Sequence, residues 1–369
     1  MKKKKIQTLS IIMNGDEQDR FAWSGVNFYI INSLKKHFKI NYFKACARYS
    51  LLSKFLIKID RIIHPNTKEY PNIVKKLLYK KCIKKARKAS DAVLTTISTY
   101  AAYCKDCIYV VDAVYKSLLD YYYFNVNKTD VNRLHRIQNK ALKRANKIIF
   151  ASDWALKEAK KFYQVSESKS FVALMGANLD DIKTSPKSIV NKHEINFFFM
   201  GADYERKGLT KIINILELLN KKDNYHKYIL NVVGKYAEST TTIKYYGFLR
   251  KTDESDFKTY IGLYKNCDFF ISMPKAECFG IVYCESSMFY LPSISVDTGG
   301  ISSYVKNNEN GLLFNQFDSP EYICDEIIKL VHDTKRYEEI SKKSRALYER
   351  DYNWDKWASK VALIINDYN

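Results

Sequence analysis

The sequence predicts an α/β fold built as two doubly wound domains facing one another across a cleft. Three observations predict it. Short apolar runs rich in Ile, Val and Phe alternate with helical patterns through both halves of the chain. The alternation fades into a polar stretch, DDIKTSPKSIVNKHE at about 180–194, and then restarts. At 369 residues the chain also exceeds what one ordinary hydrophobic core encloses.

The strand candidates of the first half are IQTLSIIM, HFKINYF, AVLTTIS, CIYVVDA and KIIFAS. Those of the second half are INFFFMG, YILNVVG, DFFISMP and LPSISVD, each followed by a helical segment. Near-continuous apolar strands with helices between them are the mark of parallel sheets covered on both faces. The polar stretch at 180–194 reads as the linker. There is no solenoid repeat and no low-complexity tract.

Composition narrows the class further. The chain is 46% hydrophobic and 14% aromatic, which excludes disorder. No apolar run reaches the roughly 18 residues a spanning helix needs. The opening MKKKKIQTLSIIMN reads as a basic lead-in to a first strand, because its apolar part ends at Asn14 and Gly15. The expected setting is therefore cytoplasmic. Of the eight cysteines only Cys104 and Cys107 form a C-x-x-C pair, and nothing completes a zinc set around them. They read as reduced, structural thiols.

The net charge of +21 is unevenly placed. Residues 1–185 hold 36 of the 61 basic and 15 of the 40 acidic residues, whereas 186–369 hold 25 of each. A lysine-rich codon bias would not confine the excess to one half, so the first half is expected to face something anionic. Two of its segments combine basic and aliphatic faces. LLSKFLIKIDRII aligns Leu52, Phe55, Leu56, Ile59 and Ile63, while KKLLYKKCIKKARK sets Lys76, Lys80, Lys84 and Lys88 in one i, i+4 row. Such helices lie at anionic bilayer surfaces; the same pattern also describes a core-packed helix with a solvated lysine face.

The segment most loaded with chemistry is PKAECFGIVYCESSMFYLPSISVDTGG. A strand ends at Pro274, a loop carries Glu277, and a helix starts near Phe279. Gly280 permits close approach of a ligand to the backbone. The amides of Cys278, Phe279, Gly280 and Ile281 fall in the first turn, where a helix offers N–H groups to a diphosphate. Glu285 follows inside the helix. Two carboxylates so placed suit hydroxyls at opposite ends of a nucleotide-sugar. Glu-x7-Glu alone is a weak motif; its setting between two strands, with Gly299-Gly300 after the second, makes it specific.

This segment resembles the E-x7-E signature of retaining glycosyltransferases of family 4, which have the GT-B fold of two Rossmann-like domains. Other stretches resemble the same family in the same order. MGADYERKGL is similar to its phosphate-binding turn, with Gly201 opening the turn and Lys207, seconded by Arg206, as the diphosphate cation. The arginine common after the first glycine is replaced here by Ala202. YYGFL resembles the loop holding the base, through Phe248 and Leu249. FAWSGVNFYIINSL resembles the first turn of the N-terminal domain, with Gly25 near the donor sugar. VSESKSFVALMGANLD resembles the end of that domain, with Gly176 and Asn178. YNWDKWA resembles a terminal helix crossing back onto it. The resemblance implies an acceptor domain over 1–185, a donor domain over 186–350 and a crossing helix over 351–369. It also implies a front-face retaining transfer that requires no metal and no cofactor, in keeping with the absence of a D-x-D pair. Glu277 would hold the donor sugar and Glu285 the ribose. Asp112, at the end of YVVDAVY, either steers the acceptor hydroxyl or caps the following helix. The implied acceptor is a glycan, glycolipid or lipid-linked chain, in polysaccharide or lipopolysaccharide synthesis at the inner membrane face.

Two other classes fit less of the sequence. A nucleotide-sugar epimerase or hydrolase would need general bases, for which the first half offers only Asp112 and His135. A non-enzymatic protein binding nucleic acid or another anionic polymer would account for the basic half and the 29 tyrosines. No nucleic-acid-binding motif accompanies them.

Overall fold

The computed structural model describes residues 5–20, 22–45 and 73–367, together with Phe55, Lys58 and Ile59. The segment LLSKFLIKIDRII otherwise lies outside the described residues. The chain divides into two compact units. The first runs to Leu174 and takes in the segment from Trp354 onward, and the second runs Met175–Asn353.

The first unit holds a six-stranded parallel sheet of β1 (Thr8–Met13), β2 (Lys39–Lys44), β3 (Ala92–Thr95), β4 (Ile108–Val111), β5 (Lys147–Phe150) and β6 (Ser170–Val172). Their order is β2-β1-β3-β4-β5-β6. The helices described before Leu174 are α1 (Val26–Leu34), α2 (Ile73–Ala89), α3 (Ser98–Tyr103), α4 (Tyr115–Leu118), α5 (Lys128–Arg144) and α6 (Asp153–Tyr163). Two of the longer ones, α5 and α6, begin where the sequence supplies a cap. Asn127 accepts from the Asp130 amide and Ser152 from the Ala155 amide. In α2 the inward residues Ile83 and Ala86 join the core while Lys80, Lys84 and Lys88 are exposed. Cys104 and Cys107 are buried in the same core with their thiols free.

The second unit repeats the architecture with β7 (Glu194–Met200), β8 (Lys227–Val233), β9 (Ile243–Tyr245), β10 (Phe269–Ser272), β11 (Ser293–Asp297) and β12 (Gly311–Asn315). All pairings are parallel, in the order β12-β11-β10-β7-β8-β9. Its helices are α7 (Leu209–Lys222), α8 (Glu254–Asn266), α9 (Ile281–Met288), α10 (Pro320–His332) and α11 (Thr334–Arg350). The chain steps outward from β7 to β9, returns to β10 beside β7, and steps outward the other way. The loops after β7 and β10 therefore diverge at the carboxyl edge of the sheet, and this switch point is where open α/β sheets bind ligands.

The polar stretch at 180–194 is not a loose spacer. The Lys187 amide donates to Ser341 (3.0 Å), and its ammonium donates to the carbonyls of Tyr264 and Cys267, each at 2.8 Å. Ile189 is part of the second unit's core. The chain already joins this unit at Met175, whose amide donates to the Tyr304 hydroxyl at 2.9 Å. The polar composition reflects side chains anchored to backbone, a role that hydropathy does not distinguish from solvation.

The last helix, α12 (Trp354–Asp367), belongs to the first unit. Trp354 stacks on Tyr29 of α1, Lys36 pairs with Asp355 at 2.6 Å, and Lys147 donates to the Ile364 carbonyl. Trp357 is 1% exposed. Truncating it to alanine is expected to cost about 3–5 kcal/mol, read as a lower urea midpoint for the transition that melts the first unit.

Candidate functional site

The structure brings Arg206, Lys207 and Glu277 together at the switch point of the second unit. The loop after β7 turns at Gly208, which caps α7 in the left-handed region at φ 76°. A β-carbon there would sit 2.0 Å from the Met273 carbonyl oxygen, so the position demands glycine. This close approach lets the two loops pair through their backbones. The Met273 amide donates to the Lys207 carbonyl (3.1 Å), and the Lys275 amide donates to that of Arg206 (2.8 Å). Side-chain placement follows from this pairing. The Lys207 ammonium donates to Glu277 Oε2, and both side chains are largely buried. Arg206 Nη1 lies 3.6 Å from the same oxygen and donates to the Ala276 carbonyl at 2.7 Å, while its Nε reaches Asp203.

Gly201 and Gly234 let the neighbouring loops close over this pair. A β-carbon on Gly201 would press on the Lys207 side chain at 2.8 Å. One on Gly234 would meet the Gly201 carbonyl at 2.4 Å. Behind Glu277, the Gly300 amide donates to the Glu277 carbonyl at 3.1 Å, so Gly299-Gly300 braces the loop that carries the carboxylate. Gly280, at φ 82°, caps α9 and carries the chain from Glu277, Cys278 and Phe279 into Ile281. The positive end of the α9 dipole thus adjoins two cations and one carboxylate, an arrangement that favours a bound anion.

Glu285 follows Glu277 in the chain and sits inside α9. It is fully buried within α9, and every residue of that helix is buried. Its Oε2 accepts from the hydroxyls of Tyr260 (2.5 Å) and Tyr264 (2.9 Å), and its Oε1 accepts from the Lys251 ammonium at 2.7 Å. Burial, reinforced by the Glu285 charge, pushes the Tyr264 hydroxyl well above its ordinary range, so it stays a proton donor. The carboxylate is satisfied from within its own unit, and the partner it presents outward is Lys251, which also reaches the Asn178 carbonyl at 3.2 Å.

The loop after β9 carries an aromatic pair that sequence reading found only in part. Phe248 is 50% exposed and Leu249 half-buried. The Phe248 ring meets that of Tyr236, 73% exposed, edge to face at 5.4 Å. The loops after β8 and β9 are joined by the Gly234 amide donating to the Gly247 carbonyl at 2.7 Å. Tyr236 was signalled only by Gly234-Lys-Tyr following a strand. Two further cations were also missed, both on loops of this edge: Lys235, whose ammonium lies 4.3 Å from the Tyr204 ring centre, and exposed Lys275.

In the first unit, Gly25 caps α1 at φ 89°, directly after Trp23 and Ser24, both also left-handed. Three such residues in a row make this a strained turn after β1. Asp112 follows β4 and is half-buried. It does not cap the next helix, because α4 starts one turn later, with Val114 in the cap position.

The fold that holds this site is GT-B. Over 97–98% of its length the chain is similar to three solved structures, at 12–16% identity. They are a glycosyltransferase from Rickettsia africae (TM-score 0.66, 98% of that chain), WaaG, a glycosyltransferase involved in lipopolysaccharide biosynthesis (0.63, 99%), and HepE of Anabaena in complex with UDP and glucose (0.63, 100%). Residues 180–347, which contain the loops after β7 and β10, match the family model of the glycosyl transferases group 1. Curated relatives are 20–24% identical over 39–48% of the chain, and the matched region spans 36–50% of their own length. Among the described residues no helix is long and apolar enough to cross a membrane.

The clasp between the two loops yields a direct expectation. Gly208→Ala should destabilise the second unit by roughly 2 kcal/mol or more, combining a strained left-handed alanine with displacement of the Met273 carbonyl. Equilibrium unfolding followed by far-UV circular dichroism measures it, with tryptophan fluorescence marking the first unit's transition separately, because Trp23, Trp154, Trp354 and Trp357 all belong to that unit.

Proposed function

We propose that the chain is a retaining, metal-independent glycosyltransferase of family 4 that takes its sugar from a nucleoside-diphosphate donor held by the second unit. The observation that carries this reading is the convergence of Lys207, Arg206 and the α9 N-terminus on one switch point, with Glu277 among them. In this reading Lys207, Arg206 and the amides from Cys278 to Ile281 receive the diphosphate. Glu277 turns from Lys207 to the hydroxyls of the donor sugar. The exposed pair Tyr236–Phe248, with Leu249, packs on the base, and Glu285 acts at the ribose together with Lys251.

Charge on the leaving group is what such a site stabilises. As the bond from the anomeric carbon to the phosphate oxygen breaks, negative charge grows on the diphosphate, beside fixed cations and dipoles. The acceptor oxygen then bonds to the anomeric carbon from the same face, and its proton passes to the departing phosphate. The residues named above position and stabilise; none has to act as a nucleophile. Gly25 and Asp112 are assigned to the sugar and acceptor side of the first unit.

The acceptor in this reading is a glycan, glycolipid or lipid-linked chain, in polysaccharide or lipopolysaccharide synthesis. The excess of basic residues before residue 186 supports an anionic or membrane-borne acceptor. Co-sedimentation with anionic vesicles that neutral vesicles do not reproduce, and that high salt abolishes, is the expected result.

A thermal-shift panel of UDP, GDP and ADP tests the donor assignment, with UDP first because the HepE structure holds it. One nucleotide should raise Tm, and Lys207→Ala should weaken its apparent affinity by about tenfold to a hundredfold, the loss of one charged hydrogen bond. No shift with any nucleotide would remove the donor site.

A further inference from the structure

At the opposite edge of the second sheet, where the strands begin, three side chains of metal-binding type converge. Asp223 caps the C-terminus of α7, His226 directly precedes β8, and His332 ends α10. His226 Nδ1 lies 2.8 Å and His332 Nε2 3.1 Å from the same carboxylate oxygen, Asp223 Oδ2. All three ligand atoms lie within 4.8 Å of one another. In a tetrahedral zinc site with bonds near 2.0–2.1 Å, neighbouring ligand atoms are about 3.3 Å apart. Each imidazole nitrogen thus stands within about half an ångström of that spacing from the carboxylate oxygen.

Several features of the surroundings suit a cation of this kind. The carboxylate is held in place: Asp223 Oδ1 accepts from the Tyr225 amide at 3.0 Å, and Oδ2 from the Tyr228 hydroxyl at 2.7 Å. Hydrogen bonds of this sort orient a ligating carboxylate. The C-terminal ends of α7 and α10 both point their partial negative charge at the spot. Histidine is scarce, with six in the chain, yet the rings of His193, His226 and His332 all gather around that of Tyr225, at 5.0, 4.6 and 6.4 Å. Asp223 and His226 are buried, whereas His332 is 50% exposed and leaves a side open to solvent. Two imidazoles and one carboxylate select zinc or a neighbouring transition metal over magnesium or calcium.

We propose that Asp223, His226 and His332 form a structural transition-metal site, with zinc as its natural fit, that ties the α7–β8 connection to the end of α10. The site is separate from the loops after β7 and β10, and donor chemistry does not pass through it. Water completes the coordination on the solvent side.

Untagged protein, stripped with chelator and titrated with zinc chloride by calorimetry, provides the test. The wild type is expected to bind one equivalent with a Kd below about 10 µM and to gain thermal stability. Cobalt chloride should give the visible absorption of a tetrahedral ion. His332→Ala, at a half-exposed position that the fold tolerates, should weaken zinc binding at least tenfold, whereas His37→Ala in the first unit should not. Nucleotide-induced shifts should be unaltered in His332→Ala. Absence of saturable binding up to about 100 µM zinc, or equal affinity in wild type and His332→Ala, would overturn the proposal; the second result would place the metal on other groups such as the cysteines.

Discussion

The two backbone hydrogen bonds that join the loops after β7 and β10 set the geometry of the whole carboxyl edge of the second sheet. They run from the Met273 amide to the Lys207 carbonyl and from the Lys275 amide to the Arg206 carbonyl. They exist because Gly208 turns the chain with φ 76° and leaves room for the Met273 carbonyl. A buried lysine–carboxylate pair is expensive to desolvate and tolerates little misalignment. With both of its residues on backbone that is already paired, Lys207 and Glu277 meet at little further entropic cost. The Gly300 amide on the Glu277 carbonyl closes the frame from behind.

The rest of the unit distributes its buried charge on the same pattern, each carboxylate fully met by donors from separate elements. Glu285 collects Lys251, Tyr260 and Tyr264 from the segment after β9 and from α8. Asp268, beneath the sheet, takes Lys192 and the Asn196 amide. These sets anchor α8, α9 and the connection into β7, so the loops at the switch point rest on a rigid base. For the proposed function the consequence is preorganisation: cations and helix dipole are in place before a diphosphate would arrive, which is the condition under which electrostatic stabilisation is strongest.

Much of this was legible in the sequence, and the failures have physical reasons. The central strands were readable because strands buried on both faces must be continuously apolar, as INFFFM and YILNVV are. The unread ones, β6, β9 and β12, all lie at sheet edges, where one side needs no neighbour. IKY has its residues half-buried or exposed, and no periodicity marks it. Lys207, Glu277 and Gly280 stood out because glycine and charge recur at fixed places around strand ends. For Glu285, spacing tells which face of a helix the residue occupies, and not which donors fill the space opposite. Its partners Lys251, Tyr260 and Tyr264 come from segments with no motif of their own. Tyr236 escaped for the same reason, and so did the meeting of Asp223 and His226 with His332, more than a hundred residues away.

The central claim is that the clasped loops of the second unit hold a nucleoside diphosphate. It is tested most directly by a crystal structure grown with whichever diphosphate binds. The account predicts phosphate oxygens within hydrogen-bond distance of Lys207 and of the first amides of α9, with the base against Tyr236 and Phe248. A nucleotide bound elsewhere, with Lys207 still paired to Glu277 and touching no phosphate, would contradict it.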